Sequence, residues 1–190
     1  GVLACSGSLP PGAPPDAYAR LVVVARESGA VSVVDVGGAQ LDAALAVRAD
    51  VVTPNLAEAE GLLQARPDET VAAGDPALVR ARAEEAARAL VARGARHAVV
   101  TAAEAGAAVA SAAGEGTVAA RWLPAPAVAA VRNPIGAGDA FVGGLGLALE
   151  RREPFDSAVA AGMATGAASV ETDTAGLVVP ARVAGLRELG

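Results

Sequence analysis

Asp139 closes the run Asn133-Pro134-Ile135-Gly136-Ala137-Gly138-Asp139, and a carboxylate at that place has two uses. Asn133-Pro134 signals a turn, because the proline ring pushes Asn133 out of the α region. Gly136, Ala137 and Gly138 are small residues ahead of an apolar segment that runs to the charges Glu150-Arg151-Arg152, and that segment reads as a buried helix. A glycine-rich turn entering a helix leaves backbone N–H groups without acceptors. Together with the positive end of the helix dipole they make an anion site. Asp139 can simply cap such a helix. It can equally act as a general base beside a centre where negative charge develops. The pattern is not a Walker A loop, since no Gly-Lys-Ser/Thr follows. It is also a poor dinucleotide fingerprint, because the third glycine would fall at position 141, which is Phe141.

A second candidate group is Pro54-Asn55-Leu56-Ala57-Glu58. Asn55 is a good N-cap for a following helix, and Glu58 three residues on completes an approximate capping box. Asp35 ends an apolar run and reads as a strand-end capping residue. Cys5 is the only cysteine, which excludes a disulfide framework and a cysteine-based metal site. His97 is the only histidine, so a Ser-His-Asp triad would have to use it. It begins a strand and reads as structural or surface.

These residues need elements to position them. Residues 2–5 form a short apolar strand that ends in Ser6-Gly7-Ser8-Leu9-Pro10-Pro11-Gly12. Residues 15–28 read as a helix, with proline near its start and Gly29 after its end. Residues 31–36 form a strand apolar on both faces, as in a buried parallel sheet. A short helix over 40–48 and a strand over 51–53 follow. Residues 66–75 read as a loop, 76–93 as an amphipathic helix closed by Gly94, and 97–101 as a fourth strand. Residues 107–111 and 118–123 read as two strands around a hairpin at Gly114-Glu115-Gly116. Helices over 154–169 and 183–189 complete the chain. Strand and helix alternation over residues 1–60 predicts an α/β three-layer domain with a mostly parallel sheet.

The 190 residues suffice for one such domain. Apolar residues make up 53% and only four residues are aromatic, so core volume must come from many small side chains. The net charge of −6 argues against a nucleic-acid or anionic-membrane surface. No signal peptide and no long apolar run are present, so a cytoplasmic protein is the expectation. The chain opens on Gly1 inside a strand, and reads as cut from something longer.

Twelve consecutive residues, from Asn133 to Gly144, resemble the C-terminal signature of the PfkB (ribokinase-like) carbohydrate kinases. The resemblance implies that the amides of Gly136, Ala137 and Gly138 form an anion hole for a transferring phosphoryl group. It implies that Asp139 deprotonates the acceptor hydroxyl. Pro54-Asn55-x-x-Glu58 is similar to the family motif that holds Mg2+ near the phosphates, which assigns the metal to Asn55 and Glu58. Thr53 stands where one branch often carries lysine, and no role is carried over to it. The loop at residues 6–12 resembles that of the phosphosugar branch, which includes 1-phosphofructokinases and tagatose 6-phosphate kinases.

After the fourth strand the family continues Thr/Ser-x-Gly-x-x-Gly beside the nucleotide phosphates, which assigns ATP contacts to Thr101 and Gly106, alongside Asn55 and Gly138. Ala103 occupies the position of the first glycine of that turn. Alanine does not reach positive φ cheaply, so an altered turn and weakened nucleotide binding are expected. The helix over 154–169 and the loop over 171–176 would line the adenine pocket, although close helix packing accounts for their small residues equally well.

The resemblance thus implies ATP and Mg2+, a sugar or sugar-phosphate acceptor, no nucleic acid and no membrane, and leaves room for a homodimer of the full-length chain. It covers residues 1–190 as a single kinase domain, about the C-terminal 60% of a family member of ordinary size. The N-terminal strands and lid sheet would lie outside it. Two other classes stay open. A non-catalytic nucleotide-binding remnant would bind ATP without transfer, and a dinucleotide-dependent enzyme would prefer NAD to ATP.

Overall fold

The computed structural model describes residues 1–64, 75–112 and 118–188. Contacts divide the chain into two compact units, one of residues 1 and 3–124, the other of residues 2 and 125–190. The loop read at 66–75, apart from Asp75, and the hairpin tip at 114–116 lie outside the described residues.

The first unit is built on a six-stranded sheet in the order β1-β2-β3-β4-β5-β6. Its strands are β1 (Val2–Ser6), β2 (Val31–Asp35), β3 (Val51–Val52), β4 (His97–Thr101), β5 (Gly106–Ser111) and β6 (Ala120–Pro124). Strands β2, β3 and β4 run parallel, and β5 and β6 fold back antiparallel at one edge, as the two-strand hairpin reading requires. Among the described residues four helices connect them: α1 (Ala17–Glu27), α2 (Gly38–Ala46), α3 (Leu56–Gln64) and α4 (Pro76–Ala92).

Strand order equals chain order, so right-handed crossovers that always step the same way deliver their helices to the same face. The packing agrees. Val34, Val52, Ala98 and Ala110 form one register row across the sheet and share a core with Val22 of α1, Leu41 and Leu45 of α2, Leu56 of α3 and Leu90 of α4. Helix α4 meets this face largely through Ala83, Ala86 and Ala87, so short side chains replace the missing aromatics. Val33, Val51, Val99 and Val109, on the opposite face, are also buried, which explains why the strands read as continuous apolar runs rather than alternations.

Local signals place the helix ends. Asp75 caps α4 by accepting from the Ala77 N–H at 2.9 Å, with Pro76 in the first turn. The Arg26 guanidinium, from the last turn of α1, donates to the carbonyls of Val47 and Arg48 just beyond α2. Arg82 makes a two-pronged ion pair with the nearly buried Glu60, tying α4 to α3. His97 Nδ1 lies 2.8 Å from Ser111 Oγ, at the far end of β4 from Thr101, in keeping with the structural role read from sequence. Burial pushes the Cys5 thiol up, which suits an inert packing residue.

The second unit holds α5 (Ala137–Glu150), α6 (Phe155–Val170) and α7 (Pro180–Glu188). Helices α5 and α6 approach closely because they meet through glycines. A Cβ at Gly162 would sit 2.9 Å from the Phe141 ring, one at Gly166 3.0 Å from the Ala137 carbonyl, and one at Gly144 2.3 Å from Thr165 Oγ1. The small residues of α6 are therefore accounted for by helix packing. Ala164 and Ala168 form a smaller core with Leu186 of α7.

Candidate active site

In the first unit the strand ends gather the predicted polar residues. Asp35, last in β2, accepts hydroxyl hydrogen bonds from Ser6 at 3.1 Å and from Thr53 at 2.9 Å. Thr53 is 2% exposed, so its hydroxyl is spent inward on this staple. The Tyr18 hydroxyl donates to the carbonyls of Ser6 and Gly7, pinning the start of the loop that follows β1. That loop ends in a turn closed by Ala13 N–H to the Pro10 carbonyl, with Pro11 and Gly12 at its centre and Gly12 at φ 83°. Carboxyl ends of strands are where open α/β sheets bind ligands.

Asn55 and Glu58 form a reciprocal capping box. The Asn55 Oδ1 accepts from the Glu58 N–H, and the Glu58 Oε2 accepts from the Asn55 N–H, both at 2.9 Å. Thr101 lies beside them, because its N–H donates to the Pro54 carbonyl at 3.2 Å and it bridges to Asn55. Gly37, at the start of α2, supports Glu58, since a Cβ there would lie 3.0 Å from the Glu58 Cγ. Nothing in the sequence flagged that contact, which joins residues on different helices.

The turn after β4 differs from expectation. Ala103 adopts φ 49°, so the left-handed conformation is reached despite the Cβ. It opens a short 3-10 turn, Ala103–Ala105, closed by Ala105 N–H to the Ala102 carbonyl at 3.0 Å, and Ala102 N–H donates to the Gly106 carbonyl at 2.8 Å across its base. Gly106 has a steric reason of its own, because a Cβ there would be 2.2 Å from the Leu123 carbonyl oxygen on β6.

In the second unit, α5 begins as the sequence requires. Gly136 is its N-cap in the left-handed region, at φ 82° and ψ 6°, in a turn closed by Ala137 N–H to the Pro134 carbonyl. Gly138 and the exposed Asp139 fall in the first helical turn, where the amide of Gly138 has no carbonyl of the helix to bond. A Cβ on Gly136 would meet Gly176 N at 2.8 Å, whereas a Cβ on Gly138 would meet nothing within 4 Å among the described residues. The first glycine serves the fold. The second leaves open space in front of helix amides.

Residues 171–177 are fastened to this turn by groups the sequence reading passed over. Asn133 N–H donates to the Val170 carbonyl, and its Nδ2 donates to the Asp173 carbonyl at 3.2 Å. Arg132 reaches the Asp173 carboxylate at 3.3 Å. Glu171 accepts from Arg182 on α7 and from the Ala129 N–H, and these bonds hold its carboxyl below the usual carboxylate range. The partners are about ten to forty residues apart in the chain, as with Glu171 to Arg182 and Asn133 to Asp173. No local pattern could have announced them.

The model of the pfkB family of carbohydrate kinases matches residues 1–182. The chain belongs to that family. It is 37% identical over 143 residues to the 1-phosphofructokinase of Rhodobacter capsulatus, a match covering 75% of this chain and 40% of that protein. Among solved structures it is similar to phosphofructokinase-2 from Escherichia coli in complex with potassium. That likeness has a TM-score of 0.79 and 28% identity, and covers 99% of this chain and 56% of the other. The fold is also that of ribokinase from Arabidopsis thaliana complexed with ribose and ATP, at a TM-score of 0.69, 19% identity, and coverage of 93% and 54%. The chain thus spans about half the length of these proteins, or less.

Proposed function

We propose that this chain carries the phosphate-binding and proton-accepting part of a kinase that transfers the γ-phosphoryl group of ATP to a hydroxyl of a sugar phosphate. The observation that carries the reading is the start of α5: a left-handed glycine turn, an open face at Gly138, and an exposed carboxylate at Asp139 in the same turn. In this reading Asp139 accepts the proton of the attacking hydroxyl. The amides of Gly136 and Gly138 donate to oxygens of the phosphoryl group as its charge redistributes, and the Ala137 amide joins them on giving up its 3.3 Å bond to the Pro134 carbonyl. Such catalysis is mostly positioning and electrostatics, which suits backbone donors held rigid by a helix. Thr101 and Gly106 take the place beside the nucleotide phosphates, and residues 171–176 the place beside the base. Residues 1–190 act as one kinase domain.

Mg2+ fits the donor set of Asn55 and Glu58. Each uses one side-chain oxygen in the capping box, which leaves the second carboxylate oxygen of Glu58 outside it. Among the described residues no cluster of three His, Cys, Asp or Glu could cage a metal. A single hard carboxylate suits Mg2+, which keeps waters and takes its remaining ligands from phosphates. When bound, the ion neutralises triphosphate charge.

The acceptor is fructose 1-phosphate, fructose 6-phosphate or tagatose 6-phosphate. The 1-phosphofructokinase relative favours fructose 1-phosphate, while the Ser6–Gly12 loop resembles a branch that also includes tagatose 6-phosphate kinases. The enzyme is cytoplasmic and, at full length, able to pair as a homodimer. No described helix is long and apolar enough to cross a membrane.

The test is Asp139→Asn in the full-length protein, assayed with Mg-ATP against these phosphosugars and unphosphorylated sugars. Turnover is expected to fall about 10²–10⁴-fold with ATP affinity nearly unchanged. Lost ATP binding with unchanged turnover per bound ATP would sink the assignment. ATP binding with no turnover on any sugar in the unaltered protein would leave a nucleotide-binding remnant as the better reading.

A further inference from the structure

We infer that Tyr18 is a positioning residue: its hydroxyl gathers the Ser6 and Gly7 carbonyls and so turns the Gly7 and Ser8 amides outward, as a pair of donors for a phosphoryl oxygen. The hydroxyl lies 3.0 Å from the Ser6 carbonyl oxygen and 3.1 Å from that of Gly7. A phenol has one proton, so two consecutive carbonyls share it. Carbonyls that follow one another along a strand point to opposite sides. Here they converge, because β1 ends at Ser6 and Gly7 takes φ 79°. A Cβ on Gly7 would meet nothing within 4 Å among the described residues, so conformation and not space requires this glycine.

The peptide planes carry the consequence. In a trans peptide the N–H points opposite to the carbonyl of the same plane. With both carbonyls drawn toward α1, the N–H groups of Gly7 and Ser8 lie on the other side of the chain. Both residues are exposed. Successive amides that face one way form a concavity for an anion. Tyr18 is the lever and not the site. Its ring packs against the core of the first unit while its hydroxyl reaches the loop, so the core sets where the two amides point. Ser6 is held from a second side by its bond to Asp35.

A phosphoryl oxygen is offered by the sugar phosphate and by ATP alike. Position favours the sugar phosphate. The loop follows β1, which lies three strands, or about 14 Å, from β4, where the kinase reading seats the nucleotide phosphates. The ligand arm of the test rests on that reading, and the cleavage arm does not.

In the full-length protein Tyr18→Phe removes the hydroxyl and keeps the ring in the core. Limited proteolysis with proteinase K, with the cuts located by mass, is expected to nick residues 6–9 about tenfold faster in the variant, the worth of one hydrogen bond, and to leave cuts elsewhere unchanged. Unchanged nicking at 6–9, or faster nicking everywhere, overturns the inference. In turnover, Tyr18→Phe is expected to raise KM for the sugar phosphate about tenfold, with kcat and KM for ATP held within about twofold. A rise in KM for ATP alone gives the two amides to the nucleotide and supports the lever. No change in either KM overturns it. Gly7→Ala, strained at φ 79°, disturbs the same peptide planes from within the loop, so on that background Tyr18→Phe should change KM by less than about twofold. Effects that simply multiply would contradict a shared action on the loop. If the unaltered protein turns over no sugar, the kinase reading falls. Calorimetry with fructose 1-phosphate and with ATP then carries the ligand arm: about tenfold weaker binding of one of them in Tyr18→Phe upholds the inference, and equal affinity for both overturns it.

Discussion

Gly136 and Gly138 stand two residues apart and are glycine for different reasons. At Gly136 the left-handed φ and the Gly176 amide at 2.8 Å both forbid a side chain. Gly136→Ala should therefore lose about 2 kcal/mol or more, from αL strain and overpacking together. At Gly138 the backbone is ordinary and the space in front is open. Gly138→Ala should leave stability unchanged or raise it by up to about 1 kcal/mol through helix propensity, while lowering turnover at least about tenfold. Urea midpoints set beside kcat check the pair, and equal destabilisation at both positions would contradict the distinction. Ala103 gives the converse case. It is exposed and holds φ 49°, so Ala103→Gly should stabilise by about 0.5 kcal/mol after the entropy of the unfolded glycine is subtracted. A lower urea midpoint would mean that its methyl group packs.

At the scale of elements, helix existence was legible from periodicity, and helix separation was not. The glycines of α6 could serve a ligand or a close neighbour, and only the positions of Phe141 and Ala137 show that helix packing requires them. Gly162→Ala should cost about 1–3 kcal/mol, because the new methyl meets ring and backbone at 2.9 Å. Gly143→Ala, on α5 and with nothing within 4 Å among the described residues, should be neutral or stabilising. Thermal unfolding of the two variants side by side is the check, and a loss at Gly143 as large as that at Gly162 would refute it. Capping was legible wherever it is local. Asn55 with Glu58 and Asp75 with Pro76 follow from spacing alone, whereas Arg26 reaching the end of α2 depends on where α1 comes to rest.

For the molecule as a whole, acid is the informative stress. Arg182 above all, with the Ala129 amide, holds Glu171 below its ordinary titration range, and Arg187 and Ser157 do the same for Glu153. A carboxyl depressed in the folded state adds stability that is complete above its unfolded value, about 4.3, and is lost as pH falls through the lower folded value. The urea midpoint should hence change little from these groups between about pH 7 and 5 and fall below about pH 4. Arg182→Met should flatten that fall, because it removes the largest cause of the Glu171 shift. A midpoint that rises on acidification, or an unchanged acid slope in Arg182→Met, would contradict this.

What the chain determined by itself is what depends on neighbours in sequence. The turn at Asn133-Pro134, the glycine entry to α5 with Asp139 in its first turn, the Asn55–Glu58 box and the buried Val strands all express short spacings, and the structure places them as the spacings demand. Tertiary structure decided the rest. Asp35 became a staple between Ser6 and Thr53 because parallel strands bring their ends together. Ala103 took a conformation that its own Cβ disfavours, because Gly106 must start β5 tight against β6 and the intervening chain has to close. Gly136 and Gly176 touch, and Asn133 holds Asp173, across about forty residues of intervening chain. Such contacts leave no trace in spacing, because their geometry is set by how helices pack and not by what lies beside each residue in the chain.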